Sequence, residues 1–341
     1  MTNKITVLTL LGMLLFSSCG LLETEKEESL PTTLHPIKLN DKWGFIRNDG
    51  SIAISPDFDE ARFVKNGYAS FRKGTSWGIL SELEEMITKE AEFSQIGVFD
   101  GDLAPAKLSG EKYGYINSSG AFLINKDFEF AAQFSEDRAA VLKDGLWGYI
   151  NRTGETAIGF NFSQAGRFSE GLAAVQTADG WEYIDESGAT VLSPAFRIAY
   201  AGLFSENLAP VQTAEGWGYM NEKGALTIPV QFDEAYPFSQ GLARVRMGDY
   251  YGFISTDGEL EIEAQFSSAS DFKEDVAAVR FGNLWFYIAK KTGTIVFNMP
   301  EQVRYAEDFQ NGIARVQIGT EDNARFGYIN KDGEYVWFPT R

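Results

Sequence analysis

Short apolar runs alternate with polar, glycine-containing clusters along almost the whole chain, and the alternation has a fixed period. The stretch 168–196 shows one unit. Leu172-Ala173-Ala174-Val175 is a short apolar run, and Ala178-Asp179-Gly180 is a turn signal. Trp181-Glu182-Tyr183-Ile184 is a second run with alternating large residues, closed by Asp185-Glu186-Ser187-Gly188. Thr190-Val191-Leu192 follows as a third. Runs of this length with such turns predict three antiparallel strands per unit. The second turn recurs as Asn117-Ser118-Ser119-Gly120, Asn151-Arg152-Thr153-Gly154 and Asn221-Glu222-Lys223-Gly224. Asn can bond its own backbone further on, and a closing Gly tolerates positive φ, which predicts a type I turn with a bulge.

The second strand carries an aromatic anchor, usually followed by Gly. Anchors stand at Trp43, Trp77, Tyr113, Trp147, Trp181, Trp217, Tyr251, Trp285 and Phe326, spaced 34, 36, 34, 34, 36, 34, 34 and 41 residues apart. Six of the seven Trp are anchors. A fixed period of this size means an array of one supersecondary unit, each unit burying its apolar face on its neighbours. Two phenylalanines in the link after strand three supply that packing. The first is Phe58, Phe93, Phe128, Phe162, Phe196, Phe232 or Phe266; the second is Phe63, Phe99, Phe134, Phe168, Phe204, Phe238, Phe272 or Phe309.

Lys42-Trp43-Gly44-Phe45-Ile46, Lys112-Tyr113-Gly114-Tyr115-Ile116-Asn117 and Phe168-Ser169-Glu170-Gly171-Leu172-Ala173 resemble the bacterial WG (KWG) repeat family over about residues 36–338. The resemblance implies an all-β repeat module without a general enzymatic activity. The pattern breaks at Glu84, where the turn Gly should be, at Glu182 and Phe286, which replace the anchor Gly, and in the longer loop around Asp322. Nine units exceed the usual four to eight propeller blades, and no terminal strand looks available to close a ring. The expectation is therefore an open, solenoid-like stack of three-stranded units, with a β-propeller-like ring as the alternative.

Residues 1–18 stand apart. Lys4 precedes the apolar run Ile5–Phe16, which suits a signal peptide and is too short to span a bilayer. Ser17-Ser18-Cys19-Gly20 resembles the lipobox of bacterial lipoproteins, although Phe16 stands where that family usually has Leu. Cys19 is the sole cysteine and reads as a lipidation site, its acyl chains (palmitate among them) holding the protein to a membrane. Residues 19–34, rich in Glu and ending in Pro31-Thr32-Thr33, read as a disordered acidic tether, and 35–341 as the repeat domain.

The formal charge of −18 repels nucleic acid and leaves cationic partners possible. No catalytic, cofactor or metal site is expected. The single histidine, His35, falls at the edge of the tether and reads as a surface residue, and one His with one Cys supplies no zinc set. Acids are numerous, but Asp59, Glu60, Glu136, Glu170, Glu206, Asp233 and Glu234 recur at repeat positions, which fits turn capping better than a unique catalytic pair. The anchors invite a sugar-stacking role, but their regularity favours packing. Candidate binding residues are then the irregular ones: Glu182, Trp285, Phe286 and Arg325. The expected function is a non-catalytic binding or scaffold lipoprotein of a bacterial cell envelope, probing protein partners from the outer membrane. Alternatives are a carbohydrate-binding accessory lipoprotein and, behind it, a hydrolase using paired carboxylates.

Overall fold

The computed structural model describes residues 33–83, 93–194, 196–300, 302–320 and 323–338. Residues 1–32, with the signal peptide, Cys19 and most of the tether, lie outside them, as do Glu84 and Asp322. The fold is all-β: nine small antiparallel sheets, each followed in sequence by its neighbour. Sheets one to nine span 35–58, 60–81, 95–128, 130–162, 164–192, 200–232, 234–266, 268–298 and 303–337.

Sheet four shows the plan. Strands Ala139–Lys143, Leu146–Ile150 and Thr156–Phe162 are the three expected from sequence. Before them Phe130–Ala131 forms a short extra strand that pairs with Leu142 and Val141. Seven of the sheets therefore have four strands among the described residues, where three were expected. Two residues are too few to show a hydrophobic period, so this strand hid in what looked like an irregular link. The Asn turns form as expected: Gly154 N–H donates to Asn151 O at 2.9 Å with φ of 86° at the glycine.

The sheets form a closed ring, a nine-bladed β-propeller, and the expected open stack is corrected. Sheet nine packs on sheet one through Ile37, Ile46, Ile313 and Tyr328, and the Trp43 and Phe326 rings lie 5.5 Å apart. Among the described residues no strand is borrowed. The closing contact uses the same apolar packing and the same tyrosine as the other neighbours, with only its acceptor carbonyl changed.

That tyrosine lies buried two residues after the anchor. Tyr115, Tyr149, Tyr183 and Tyr219 donate their hydroxyls to the carbonyls of Ala132, Gly166, Gly202 and Tyr236 in the next sheet, at 2.7–2.8 Å. Tyr287 reaches Glu307 O in the same way, and Tyr328 reaches Pro36 O on the first strand of sheet one. Burial pushes the pKa of these phenols well up, so they remain donors. Sheets one, two and seven carry Phe45, Ile79 and Phe253 at this position and so have no hydroxyl there. In sheets two and seven an arginine supplies the tie instead: Arg62 donates to Ile96 O at 2.7 Å and Arg244 to Ala269 O at 2.6 Å; Phe45 of sheet one packs in the apolar core it shares with sheet two.

The anchor glycine has a steric cause. A Cβ at Gly148, Gly218 or Gly252 would sit 2.7–2.8 Å from the carbonyl oxygen of Ile158, Ile228 or Ile262 on strand three. Strand three bulges across this bare backbone: Trp147 pairs with Phe162 and Tyr149 with Ile158, so two residues more lie on one side than on the other. Where the glycine is replaced, the bulge disappears. At Phe286 the pairing advances without a shift, Phe286 with Asn298 and Tyr287 with Phe297, and the one shift left follows Tyr287; opposite Glu182 the strand ends at Leu192.

Four sequence assignments change. The second pin of sheet two is Val64, which stands six residues after Phe58 as Phe134 does after Phe128; Phe63 turns to the seam between sheets nine and one. In repeat five Ile198 is buried at the first-pin position and Phe196 only partly so. Leu34, placed in the tether, is 1% exposed in the core of sheet one. His35, placed on the surface, opens the first strand and is 2% exposed.

Candidate binding surfaces

The recurring acids hold the ring together. In the Phe-Ser-Glu/Gln segments, Ser135, Ser169, Ser205 and Ser239 donate to the carbonyls of Phe168, Phe204, Phe238 and Phe272 one repeat on, at 2.7–2.8 Å. The following acid sits at positive φ and accepts backbone N–H groups from the next turn. Glu136 takes Glu170 and Gly171, Glu170 takes Glu206 and Asn207, and Glu206 takes Gly241. Asp59 and Asp233 accept the N–H of Gly74 and Gly248 in the hairpin turns, each at 2.6 Å. Glu60 and Glu234 pair with Arg72 and Arg246. These carboxylates are thus committed to the fold by bonds to backbone N–H groups and arginines of the repeat. Among the described residues no group of three or more His, Cys, Asp or Glu could hold a metal ion, and no helix is long and apolar enough to cross a membrane.

The four irregular residues do not converge. Glu182 lies in sheet five and accepts Thr190 Oγ1 at 3.0 Å. Trp285 is buried between sheets eight and nine, its Nε1 donating to Arg304 O at 2.9 Å. Phe286, next in sequence, faces the other way, against the core of sheets seven and eight. It also walls an apolar cavity of about 380 Å³ with Phe281 and Ile295. Arg325 borders a separate cavity of about 510 Å³ with Arg304, Asn323 and Phe338. Glu182 and Phe286 stand where other sheets have the anchor Gly under the strand-three bulge, and neither of their sheets pairs with that bulge.

The surface that the sequence reading assigned to packing is the anchor row itself. Most anchors are half-buried, whereas the aromatics two residues later are fully buried. Where the short strand begins with an aromatic residue, it bridges two anchors. Phe130 lies 5.8 and 5.5 Å from Tyr113 and Trp147, and Tyr200 lies 5.9 and 5.6 Å from Trp181 and Trp217, all between ring centroids. Phe130 and Tyr200 are 45% and 48% exposed. Each lies in register with an anchor across the sheet: Tyr200 pairs with Gln212, which pairs with Trp217. The periodicity was the available signal, because it marks which positions are equivalent; the exposure of the anchors was not readable from it.

A family model described as "WG containing repeat" matches residues 43–77, 113–147, 147–181, 217–251 and 251–285, just over half of the chain. The chain belongs to the WG-repeat family. Each matched segment of this WG-repeat protein runs from one anchor to the next, so the matched unit is offset from the sheet and includes the inter-sheet link. No curated relative matches by sequence. Among solved structures, a eukaryotic initiation factor is similar at 12% identity and a TM-score of 0.65, covering 89% of this chain and 94% of that one. The computationally designed Ika8 protein is similar at 12% identity and a TM-score of 0.51, covering 90% and 99%. At such identities the likeness of the WG-repeat ring to both is one of fold alone.

Proposed function

We propose that this protein is a non-catalytic interaction scaffold of a bacterial cell envelope, lipid-anchored through Cys19 and presenting its nine-sheet ring to protein partners. The carrying observation is that its recurrent carboxylates are bonded into the backbone, as Glu136 is to Glu170 and Gly171, which leaves the ring's variable surface to bind. Repeat propellers with this division of labour serve as platforms, in which one scaffold displays many side chains. The single cysteine at the end of an export-type apolar segment supports an anchor rather than a stray thiol. The net charge of −18 favours partners with basic faces.

The test uses the full chain in its own envelope. Chemical cross-linking followed by mass spectrometry should recover a defined envelope protein on the ring, with the native chain in the membrane fraction and the Cys19→Ala chain released or unprocessed. Cys19→Ala still partitioning into membranes after cleavage would remove the anchor from the reading. Hydrolase activity abolished by a single carboxylate substitution would remove the scaffold.

A further inference from the structure

We propose that sheets five and six carry a binding platform for a neutral polysaccharide, built from Trp181, Tyr200, Trp217 and the amides of Gln164, Gln176 and Gln212. Strand register places these residues. Gln164 pairs with Gln176 and Gln176 with Trp181 in sheet five; Tyr200 pairs with Gln212 and Gln212 with Trp217 in sheet six. Residues directly opposite on adjacent strands share a face, so each sheet presents a row of three. The two rows meet where Trp181 contacts Tyr200.

The other sheets provide an internal control. The equivalent rows are Glu60–Arg72–Trp77, Gln95–Lys107–Tyr113, Phe130–Leu142–Trp147, Glu234–Arg246–Tyr251 and Ser268–Arg280–Trp285; sheet nine repeats the amide-and-aromatic set as Tyr305–Gln317–Phe326, but the row beside it in sheet eight carries Arg280. The fold therefore accepts charge, aliphatic or hydroxyl groups at the first two positions and requires an aromatic group only at the anchor. Tyr200, 48% exposed, answers no packing need that Gln164 or Ser268 fails to meet. Two adjacent rows made only of amides and aromatics are an addition to the scaffold.

Their chemistry selects the ligand class. Aromatic faces stack on the C–H face of a pyranose, and primary amides offer a donor and an acceptor to neighbouring hydroxyls. Trp181 Nε1 is held on Ala199 O at 3.1 Å, and Gln176 Oε1 lies 3.2 Å from Ser163 Oγ, so both side chains are oriented before binding. The rows offer no ion pair to a charged peptide, and the acidic chain around them disfavours uronic-acid or sulfated glycans.

Affinity electrophoresis and tryptophan-fluorescence titration of the full chain test this directly. The probes are dextran, yeast mannan, laminarin and xyloglucan, with alginate as the anionic control. At least one neutral glycan should retard the protein and shift its emission, and alginate should not. Tyr200→Gln installs the residue that sheets three and five use at this position, so it should keep the wild-type melting temperature and lose about tenfold or more in affinity, as loss of a stacking ring does. Gln212→Ala should weaken binding too, and Phe130→Gln should leave it unchanged. Retention of none of the four neutral glycans, retention of alginate alone, or unaltered binding by Tyr200→Gln and Gln212→Ala would overturn the platform. Protein cross-linking is a separate readout, so failure here leaves the scaffold reading standing, and the reverse holds.

Discussion

The Tyr328 hydroxyl donates to the Pro36 carbonyl at 2.7 Å, and this bond spans the two ends of the fold. In other sheets the equivalent strand carbonyl is already taken. Ala140 O accepts Ala132 N–H, Ala174 O accepts Gly166 N–H and Pro210 O accepts Gly202 N–H, each from the link that precedes the sheet. Sheet one has no such link among its described residues, so its carbonyl is open and the last tyrosine takes it. Proline is tolerated at 36, 105 and 210 because this carbonyl, rather than the amide, carries the tie.

Tyr328→Phe should therefore destabilise the protein by about 1–3 kcal/mol, since it leaves a buried carbonyl without a donor. Urea unfolding of the variant beside Tyr149→Phe, which removes the same bond between sheets four and five, measures this. A Tyr328→Phe chain as stable as wild type would mean that the ring is closed by apolar contact alone.

The anchor glycine gives a sharper steric test. Gly148→Ala places a methyl 2.8 Å from Ile158 O and 3.0 Å from Gly159 O, both backbone atoms that cannot rotate away. The cost should be about 1–3 kcal/mol, in the range of overpacking substitutions. Glu182→Ala sits at the equivalent place in a sheet whose third strand has already withdrawn, and should cost far less. Equal melting temperatures for Gly148→Ala and wild type would remove the bulge as the reason for the family's Trp-Gly pair.

The turn acids make a third case. Glu170→Ala removes acceptors from Glu206 N–H and Asn207 N–H and puts a non-glycine residue without a side-chain acceptor at φ of 55°. It should lower stability by about 1 kcal/mol, like the loss of a helix cap. Glu170→Gln should cost less, because Gln240 already does this work in sheet seven, accepting Asp275 N–H at 3.1 Å. Thermal melts of the two variants separate geometry from charge; a larger loss for Gln than for Ala would contradict the tie.

Much of this was legible in the sequence. The period located every anchor, the Asn-to-Gly turns and the three long strands, because strand alternation and turn chemistry are local. The ring was not, because closure depends on how far each unit is rotated on the last, and Tyr328 meets Pro36 across nearly the whole chain. The two misplaced pins, Phe63 and Phe196, have one cause: residue type was followed where register decides, and Val64 and Ile198 hold the registered positions. The candidate surface was hidden for a related reason. Exposure separates Tyr200 from its half-buried neighbours, and only the pairing of Tyr200, Gln212 and Trp217 shows that they share a face.

His35 makes the seam sensitive to acid. Its Nε2 lies 2.8 Å from Asn48 Oδ1, Asn48 Nδ2 donates to Asn311 O at 3.1 Å, and its ring lies 5.4 Å from that of Tyr328. Tyr328 is the titratable group facing it from sheet nine, with Arg315 of the same sheet acting on that tyrosine; Glu307 holds Arg315. Burial lowers the His35 pKa from its ordinary value near 6.5, against a smaller opposing effect of the Asn48 bond. The neutral ring is thus the folded form, while the unfolded chain protonates near the ordinary value. The stability it supports is complete above about pH 6.5 and is lost as pH falls towards the lowered folded value, with a slope of at most about 1.4 kcal/mol per pH unit. Melting temperatures at pH 8 and pH 5 should fall further apart in wild type than in His35→Gln, which keeps a hydrogen-bonding side chain and cannot titrate. An equal acid shift in both chains would assign the loss to the carboxylate ties instead.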